Sequence, residues 1–536
     1  MSNPALSLKN ICLQFADEKQ LFEGLSCTFQ KGRNALVGRN GTGKSSILCM
    51  AAGQLKPTSG EVFRKGTLHI CNQQNGVDSP ESIASWLGIA DTLAALERIE
   101  VGDYSESDLE LAHGCWGLES ELLSTMSIYG LAGMTLHTPV KQLSGGELTR
   151  LQLAFGFTRK PDILLLDEPS NNLDASARKR LYADILNFSG ILLIASHDRE
   201  LLGHVERIFE ITSLGLKEYG GSYQVYEEQK RIETEAAQTV LENRFGQLKT
   251  AKVQIQKRRE IHQQGEAKGR RVKKAMIAAK GRVDRIALNS AKGRSEKTNK
   301  RILTQADRKM NHVNSQLALA KANIEKKYNF AITLPKTKVS AHKQVIHVAD
   351  MTFGFQKPLF QDFDLLVNGP ERLALEGPNG SGKSTLISLL LGKLKPQSGL
   401  CELKVERVAY LDQKATGLDL NATVSESFQH YNRAMSSAEC FQILAFFLFR
   451  KKMLQQQVAT LSGGERVRLL LACILMSEDP PQLLILDEPT NHLDIDSIEC
   501  IEQALSRFEG SILAVSHDKR FLENIGVTRR LSLYGV

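Results

Sequence analysis

Two nine-residue stretches decide the fold of this 536-residue chain: GRNGTGKSS at residues 38–46 and GPNGSGKST at residues 377–385. Each stretch follows a short apolar run that is typical of a strand and precedes a run that is typical of a helix. A strand, a glycine-rich loop and a helix are the context that a phosphate-binding loop requires. The glycines let backbone N–H groups surround phosphates, and the start of the helix adds partial positive charge. We therefore predict two phosphate loops.

The chemistry of such loops assigns roles to their side chains. Lys44 and Lys383 are expected to reach the β- and γ-phosphates of a nucleotide, and the hydroxyls of Ser45 and Ser384 to ligate Mg²⁺. The predicted phosphate-binding residues are Gly38, Arg39, Asn40, Gly41, Thr42, Gly43, Lys44, Ser45 and Ser46 in the first loop, and Gly377, Pro378, Asn379, Gly380, Ser381, Gly382, Lys383, Ser384 and Thr385 in the second.

Two pairs of carboxylates stand at the ends of predicted strands. The runs ILLLDEP (163–169) and LLILDEP (483–489) are each typical of a buried parallel strand that ends in two acids. Side chains alternate along a strand, so the two acids point in different directions. Asp167 and Asp487 are predicted to hold Mg²⁺, and Glu168 and Glu488 to take a proton from an attacking water.

Upstream of each acidic pair the sequence LSGGE occurs, at residues 143–147 and 461–465, followed by a helix-like run. A serine, two glycines and a helix start form a second anion-binding corner. Each copy already has its own phosphate loop, so we expect this corner to meet the γ-phosphate held by the other copy. The residues concerned are Ser144, Gly145, Gly146, Ser462, Gly463 and Gly464.

These motifs occur twice in the same order, each time followed by a histidine in ASHD or VSHD. In this pattern the chain resembles the ATP-binding cassette (ABC) superfamily over roughly 400 of its 536 residues. The resemblance implies an α/β fold with two cassettes packed head to tail. ATP on Lys44 would be closed over by the LSGGE residues of the second copy, and ATP on Lys383 by those of the first. It also implies a Mg²⁺-dependent ATPase that converts ATP to ADP and phosphate.

Further positions match the family one by one. His197 and His517, each 29 residues after its glutamate, match the switch histidine that contacts the γ-phosphate. Gln73 and Gln413 match the glutamine that senses Mg²⁺ and the attacking water, with Gln74 as an alternative to Gln73. Phe15 and Phe353, each six residues before a Leu-Phe pair, are interpreted as stacking on adenine, with a place in the core as the alternative.

The loops SNNLD (170–174) and TNHLD (490–494) resemble the loops that cross the seam between paired cassettes. Asn172 stands where the second copy has His492, a difference that could make the two sites unequal. No catalytic position is visibly lost in either copy, so we predict two sites that hydrolyse ATP.

The composition points to a cytoplasmic protein without a membrane segment. Mostly apolar stretches such as residues 440–449 are shorter than the roughly 18–20 residues that span a bilayer. The N-terminus has no secretory signal pattern, and the nine cysteines are scattered without CxxC spacing, as expected of reduced thiols.

The charge of the chain is divided unevenly. Residues 230–327 hold 26 Lys+Arg and 9 Asp+Glu, a net charge of +17, whereas the rest of the chain has a net charge of −9. This asymmetry indicates a polyanionic partner for one segment alone. We predict a first cassette at 1–225, a basic interdomain linker at 226–344 and a second cassette at 345–536, paired within one chain as a monomer.

The periodicity of the linker predicts two long helices in an antiparallel hairpin, each arm of about 30 residues extending about 45 Å. Apolar stripes support this: Leu241, Phe245, Leu248 and Ile255 in the first arm, and Leu303, Ala306, Met310, Val313, Leu317, Ala320 and Ile324 in the second. AKGR occurs three times, starting at Ala267, Ala279 and Ala291. The tip, residues 263–297, is either a continuous basic helix or an irregular segment that orders on its partner.

Twin cassettes joined by a basic helical hairpin resemble the ABC-F subfamily. That resemblance implies binding to the ribosome, with the linker directed toward rRNA and tRNA, in support of translation or in protection against antibiotics. The distance from Lys44 to Ser144 is 100 residues but that from Lys383 to Ser462 is 79. The first cassette therefore has an insertion of about twenty-one residues within 78–134, interpreted as the ribosome-contacting arm of the subfamily or as ordinary variation.

Three alternatives to ribosome binding remain from the sequence. A solvated spacer would also explain a charged hairpin. The ATPase subunit of an exporter would need a separate membrane partner and leaves the +17 segment unexplained. A DNA-acting ATPase usually splits one cassette around its hairpin, whereas here the hairpin lies between two cassettes and splits neither.

Overall fold

The structure is a computed structural model, described here for residues 4–14, 20–72, 82–212, 215–279, 304, 308, 310, 315–316, 334, 339–412, 415–491 and 493–533. The chain divides into two compact units. One comprises Met1–Gln224 with Tyr328–Val536 and contains both phosphate loops, and the other comprises Val225–Lys327.

The strands follow the order of the repeat. In the first copy they are β1 (Ala5–Gln14), β2 (Gln20–Phe29), β3 (Gly32–Gly38), β4 (Ser59–Lys65), β5 (Leu68–Cys71), β6 (Ile163–Asp167), β7 (Ile191–Ala195), β8 (Arg207–Thr212) and β9 (Gly215–Gly220). In the second they are β10 (Gln344–Gly354), β11 (Pro358–Asn368), β12 (Arg372–Glu376), β13 (Ser398–Leu403), β14 (Val408–Leu411), β15 (Leu483–Asp487), β16 (Ser511–Val515) and β17 (Arg529–Ser532).

The helices of the first copy are α1 (Lys44–Ala52), α2 (Ile83–Trp86), α3 (Ala90–Val101), α4 (Glu106–Ala112), α5 (Leu118–Ile128), α6 (Gly145–Thr158), α7 (Ala175–Asn187) and α8 (Arg199–Leu202). The long helix α9 (Tyr223–Ala279) follows. Those of the second copy are α10 (Lys383–Leu390), α11 (Val424–Tyr431), α12 (Ser437–Phe446), α13 (Gly463–Leu475), α14 (Ile495–Ser506) and α15 (Lys519–Asn524).

Each copy is built on a central, mainly parallel sheet. The strand order is β5-β6-β7-β3-β8-β9 in the first copy and β14-β15-β16-β12-β17 in the second. Among the described strands of these two sheets, β8 and β9 at the end of the first sheet are the one antiparallel pair. The apolar residues of β6 and β15 are fully buried, as expected of strands that are covered on both faces. In both copies the strand before the phosphate loop therefore lies beside the strand that ends before the switch histidine.

A three-stranded antiparallel sheet accompanies each central sheet, in the order β2-β1-β4 and β11-β10-β13. Leu13 of β1 pairs with Phe22 of β2, and Phe353 of β10 pairs with Phe360 of β11. The structurally equivalent residue of Phe353 in the first copy is thus Leu13.

The predicted insertion within 78–134 contains additional helices. Isolated bridges between Ser82 and Pro139, and between Thr423 and Gln457, mark equivalent points in the two copies. The stretch between them is longer in the first copy, where it includes the helix pair α3 and α4. Arg98 of α3 forms an ion pair with Asp108 of α4. Its interpretation as an arm stays a prediction.

The linker begins with a helix longer than the sequence suggested. Helix α9 has 57 residues and continues through Gly265 and Gly269 to Ala279, so it covers the first AKGR repeat and about 85 Å at 1.5 Å per residue. The Lys, Arg, Ala and Gln residues around the glycines are strong helix formers, which offset the cost of about 1 kcal/mol for each glycine. The third AKGR repeat and most of the predicted second arm lie outside the described residues.

In the described part of the chain, no helix combines the length and the apolar character that crossing a membrane requires.

Candidate nucleotide sites at the seam between the copies

The glycines of both phosphate loops are required by their surroundings. Gly43 and Gly382, the last residues before α1 and α10, have φ angles of 96° and 94°, in the left-handed region that favours glycine. A Cβ on Gly43 would lie 2.4 Å from the ring of Phe22, and one on Gly382 would lie 2.9 Å from the ring of Phe360. A residue with a side chain could therefore not take the place of either glycine without displacing the neighbouring ring.

The lysine of each phosphate loop is hydrogen-bonded to backbone carbonyl oxygens at the start of the same loop. Lys44 Nζ donates to the carbonyl oxygens of Gly38 at 2.7 Å and Arg39 at 3.2 Å. Lys383 Nζ makes the same contacts in the second copy, to Gly377 at 2.7 Å and Pro378 at 2.9 Å. Burial lowers the pKa of both lysines, and nearby carboxylates oppose that effect. The ammonium groups are thus held where they can meet the phosphates of a nucleotide.

The predicted Mg²⁺ ligands lie together in each copy. The side chain of Asp167 is hydrogen-bonded to Ser45, and that of Asp487 to Ser384. Burial raises the pKa of both aspartates. Carboxylate and hydroxyl oxygens are hard donors of the kind that Mg²⁺ prefers. In the second copy Tyr410 also donates to Asp487 Oδ2 at 3.3 Å.

Each predicted base lies beside its switch histidine. His197 Nε2 is 3.6 Å from Glu168 Oε1, and His517 Nε2 is 3.4 Å from Glu488 Oε1. Parallel neighbouring strands bring these residues together, since β6 and β7, and likewise β15 and β16, end at the same edge of their sheet.

The two glutamates are held in an unfavourable backbone conformation. Glu168 has φ 47° and Glu488 has φ 48°, in a left-handed region that few residues other than glycine adopt. The backbone N–H of each donates to the next strand, to Ala195 O at 2.8 Å and to Val515 O at 2.9 Å. Such strain persists where surrounding contacts determine it, often at functional sites.

The protonation of these pairs follows from their burial. Burial raises the pKa of Glu168 to about 8 and that of Glu488 to about 7. Burial and then nearby cations lower the pKa of His197 to about 3 and that of His517 to about 4. At neutral pH both imidazoles are therefore uncharged and have one N–H to donate, while each glutamate titrates close to the pH at which a general base is effective.

The LSGGE serines cap the helices that follow them. Ser144 Oγ donates to Glu147 Oε2 at 2.7 Å and accepts from the backbone N–H of Glu147 at 3.4 Å. Ser462 and Glu465 repeat this capping box with distances of 2.8 and 3.3 Å. A capping box fixes the first turn of a helix, so the glycines of each LSGGE motif are presented at a defined helix start.

The LSGGE loop of the first copy lies against the phosphate loop of the second. A Cβ on Gly146 would lie 3.0 Å from Asn172 O and 3.9 Å from Asn379 Nδ2. Asn379 belongs to the second phosphate loop, and its Nδ2 donates to Asn172 O at 3.2 Å. Three loops from two copies therefore meet at one place.

The seam loops make reciprocal contacts with the phosphate loops. The backbone N–H of Asn40 in the first loop donates to Asp494 Oδ2 of the second copy at 3.0 Å. The backbone of Asn379 in the second loop is hydrogen-bonded to Asp174 of the first. Each phosphate loop thus touches the other copy at the equivalent residue, and each site is built from both halves of the chain.

The two sites also differ. Arg39 Nε of the first loop pairs with Asp496 Oδ2 of the second copy at 2.7 Å. At the equivalent positions of the second site the chain has Pro378 and Ser176, which cannot form an ion pair. The first phosphate loop therefore has an ion pair with the other copy, and the second phosphate loop has none at the equivalent positions.

Unpaired polar atoms test whether these residues fit MgATP. Within the described residues, Ser381 Oγ, Glu488 Oε2 and both ring nitrogens of His197 are buried without a hydrogen-bond partner. Buried polar groups are nearly always hydrogen-bonded. All three residues lie on loops that face the predicted phosphate position, where phosphate oxygens and water would supply partners. The residues present fit the magnesium complex of ATP.

The predicted adenine contact Phe353 lies instead in the core, with 7% of its surface exposed. Phe355, two residues further on, is 72% exposed, and its ring lies edge-on to Phe353 at 5.2 Å between centroids. Phe15 and Phe353 have the same spacing from their Leu-Phe pairs, but β1 and β2 are separated by two residues more than β10 and β11. With Leu13 equivalent to Phe353, the counterpart of Phe15 is Phe355.

Several predicted site residues lie outside the described residues: Phe15, Gln73 with its alternative Gln74, Gln413, and the seam residue His492. Their assignments stay predictions.

Comparison with known proteins identifies the repeat. The family model described as ABC transporter matches residues 22–171 and 360–491. The putative ATP-binding protein YdiF of Bacillus subtilis is 31% identical over 530 residues, which cover 94% of this chain and 76% of that protein. The ATP-binding protein Uup of Haemophilus influenzae is 31% identical, with 97% and 77% covered. The ribosome protection protein VmlR of Bacillus subtilis is 29% identical, with 97% and 85% covered.

Solved structures agree on the fold. An archaeal ribosome recycling factor, aABCE1, crystallised with the ribosomal stalk protein aP1, superposes with a TM-score of 0.55 at 17% identity, covering 98% of this chain and 87% of that one. An RNase-L inhibitor gives a TM-score of 0.54 at 18% identity, covering 98% and 91%. The predicted fold class of two α/β cassettes in tandem is confirmed.

Proposed function

This chain belongs to the ABC transporter family, and within it to the ABC-F proteins, and on that premise we propose that it is an ATPase that binds the ribosome while its cassettes are closed on ATP. The basic linker, residues 230–327, would then contact rRNA and tRNA, so that hydrolysis sets how long the protein stays bound. Its role would be to modulate translation or to protect it from antibiotics.

The observation that carries the ATPase proposal is the reciprocal contact between phosphate loops and seam loops. Asn40 meets Asp494, and Asn379 meets Asp174. In this arrangement, ATP held by one cassette lies against the other cassette. Closure and nucleotide binding are therefore coupled, because a ligand that bridges both halves stabilises the paired state.

The residues divide the work of hydrolysis between them. Lys44 and Lys383 bind the phosphates, and the serine and aspartate of each site would hold Mg²⁺, which supplies charge neutralisation for the phosphoryl oxygens. Glu168 and Glu488 orient the attacking water and accept its proton. The neutral switch histidines donate a hydrogen bond toward the γ-phosphate, a role that suits their lowered pKa.

Phe355 is the residue we assign to the adenine base of the second site. Its ring is exposed at the turn between β10 and β11, and this turn packs close to the phosphate loop, since Gly382 would clash with Phe360 and Leu359 if it carried a Cβ. An exposed aromatic face offers stacking to any purine.

The ribosome is proposed as partner because of the linker and the relatives. Lys and Arg without interleaved aromatics suit a phosphate backbone better than stacked bases. Lys252, Lys257, Lys268 and Lys274 of α9 are exposed. Among the relatives, VmlR is named a ribosome protection protein.

Cosedimentation with ribosomes tests the proposal. The double variant Glu168→Gln, Glu488→Gln should bind ATP without hydrolysing it and pellet with ribosomes when ATP is present. Without ATP, or with Lys44→Ala and Lys383→Ala added, it should stay in the supernatant. Pelleting that is indifferent to ATP, or copurification with DNA or membranes instead, would overturn the proposal.

A second arm of the test addresses the linker. The variant replaces Lys252, Lys257, Lys268, Arg271 and Lys274 with Gln. It should bind the ribosome more weakly and with less dependence on salt, because fewer phosphate contacts form and fewer counterions are released on binding. The matched control replaces five exposed lysines of the first cassette, Lys9, Lys31, Lys56, Lys65 and Lys179. Equal effects of the two sets would contradict a specific role for the linker.

A further inference from the structure

A buried ion pair crosses the seam next to one switch histidine. Arg199 Nη1 lies 2.7 Å from Glu502 Oε1, and Nη2 lies 3.4 Å from Oε2. The side chains are only 4% and 9% exposed. Arg199 belongs to the first cassette and Glu502 to the second. A two-pronged contact between a guanidinium and a carboxylate fixes orientation as well as distance.

Both partners lie close in sequence to residues of the first nucleotide site. Arg199 stands two residues after His197 and begins α8. Glu502 lies on α14, eight residues after Asp494, the residue that accepts from Asn40 of the first phosphate loop. Eight residues of helix span about 12 Å. A single helix of the second cassette therefore contacts the first phosphate loop at its start and the first switch loop about two turns later.

His197 depends on its loop for its position. Across the described part of the chain, neither of its ring nitrogens has a hydrogen-bond partner, although both are buried. No side-chain hydrogen bond within the described residues therefore fixes the ring, and its position depends on packing and on the backbone of its loop, residues 196–199. Asp198 caps α8 by accepting from the N–H groups of Glu200 and Leu201, and Arg199 then ties this capped turn to the other cassette.

The second site lacks the equivalent device. Lys519, at the position that matches Arg199, pairs with Glu200 at 3.0 Å, but these side chains are 59% and 45% exposed. Solvent screens an ion pair that is this exposed, so it holds the two cassettes together only weakly. Tyr182, at the position that matches Glu502, donates to Asp198 within its own cassette at 2.9 Å. The two switch loops are thus anchored across the seam unequally.

We propose that Glu502 of the second cassette positions the His197 loop of the first through Arg199, so that hydrolysis at the Lys44 site, and not at the Lys383 site, depends on this contact. Arg199 and Glu502 are positioning residues, since neither lies among the predicted phosphate contacts. The inference rests on the proposed ATP hydrolysis between paired cassettes. It adds that closure of the cassettes positions the two switch loops through different contacts.

Site-resolved ATPase kinetics test it in the full-length protein. Glu488→Gln leaves the first site active, and Glu168→Gln leaves the second. Adding Glu502→Gln should lower kcat about ten- to hundredfold in the Glu488→Gln protein, as expected when a catalytic group is displaced by about 1 Å. KM for ATP should change less than about threefold, and in the Glu168→Gln protein kcat should change less than about twofold. The control Glu200→Gln, which breaks the exposed pair, should have little effect in either protein.

Two further variants separate positioning from folding. Arg199→Lys keeps the charge but loses the fork, and should reduce kcat at the first site by a smaller factor. The exchange Arg199→Glu with Glu502→Arg should recover much of the activity that either single change removes. Thermal unfolding of each variant shows whether a loss of activity is a loss of structure.

The outcomes discriminate. If both parent proteins hydrolyse ATP but Glu502→Gln lowers kcat equally at the two sites, or at neither, the positioning role is refuted while the ATPase proposal stands. Failure of the exchange to restore activity also counts against it. If the wild type and both parent proteins all fail to hydrolyse ATP, the proposed function itself fails.

Discussion

Replacing Glu488 with Gln should change how the stability of the nucleotide-free protein depends on pH. Burial raises the pKa of this carboxyl from its ordinary value of 4.5 to about 7. Below pH 4.5 the group is protonated in the folded and the unfolded chain alike. As the pH rises from 4.5, the carboxyl ionises first in the unfolded chain, which lowers the free energy of the unfolded state. The stability of the folded protein therefore falls until the folded group also ionises near pH 7.

The magnitude follows from the difference between the two pKa values. Each tenfold change in an equilibrium constant is equivalent to about 1.4 kcal/mol, so the wild type should lose about 3 kcal/mol across this pH window. In a domain of about 200 residues, that loss corresponds to a fall in Tm on the order of 5–10 °C. The Gln variant does not ionise and should escape it.

Thermal unfolding at pH 5, 6, 7, 8 and 9, in EDTA and without nucleotide, measures the effect. The Tm of Glu488→Gln minus that of the wild type should rise with pH and level off above pH 7. For Glu168→Gln the rise should continue to higher pH, because burial raises the pKa of Glu168 to about 8. A difference in Tm that stays constant over the whole range would refute the reasoning for that site.

Four other substitutions have direct expectations. Phe355→Ala should raise KM for ATP several-fold at the second site with little change in Tm. Phe353→Ala should instead lower the free energy of unfolding by about 3–5 kcal/mol. Measuring Tm over a titration with ATP distinguishes the two effects. Gly382→Ala places a methyl group 2.9 Å from the ring of Phe360 and should abolish fluorescent-ATP binding at that site. Asp494→Ala removes the cap of α14, worth about 1 kcal/mol, together with the contact to Asn40, and should slow turnover more in the Glu488→Gln protein than in the Glu168→Gln protein.

Local sequence patterns predicted the loop lysines, the paired acids and the switch histidines that the structure brings together within each copy. A phosphate loop is specified by glycines that need positive φ and by the lysine beside them, and all of these are adjacent in sequence. The strands before Asp167 and Asp487 are recognisable because a strand buried on both faces must be apolar throughout. The switch histidines follow from the equal spacing in the two copies.

Contacts across the seam could not be predicted in the same way. Arg39 and Asp496 are separated by 457 residues, and Arg199 and Glu502 by 303. No periodicity or motif links residues at such distances, since their proximity depends on how two folded surfaces pack. The unequal anchoring of the two switch loops is visible only once the surfaces are together.

Two local expectations differed for identifiable reasons. The spacing from the Leu-Phe pairs favours Phe353, but the number of residues between the first two strands differs by two between the copies, so the counterpart of Phe15 is Phe355. The first arm of the linker was expected to be about half as long as α9. The helix continues because the sequence has no clear stop signal around Gly265 and Gly269, and the cost of a glycine there is small against many strong helix formers.

The sharing of both sites between the two cassettes has a consequence for concentration. Since neither half contains a whole site, activity requires encounter, and a covalent connection turns that encounter into an intramolecular event with a fixed effective concentration. The specific ATPase activity of the intact chain should therefore be unchanged by dilution. Two halves made as separate polypeptides should instead lose activity as they are diluted, because they must find each other by diffusion.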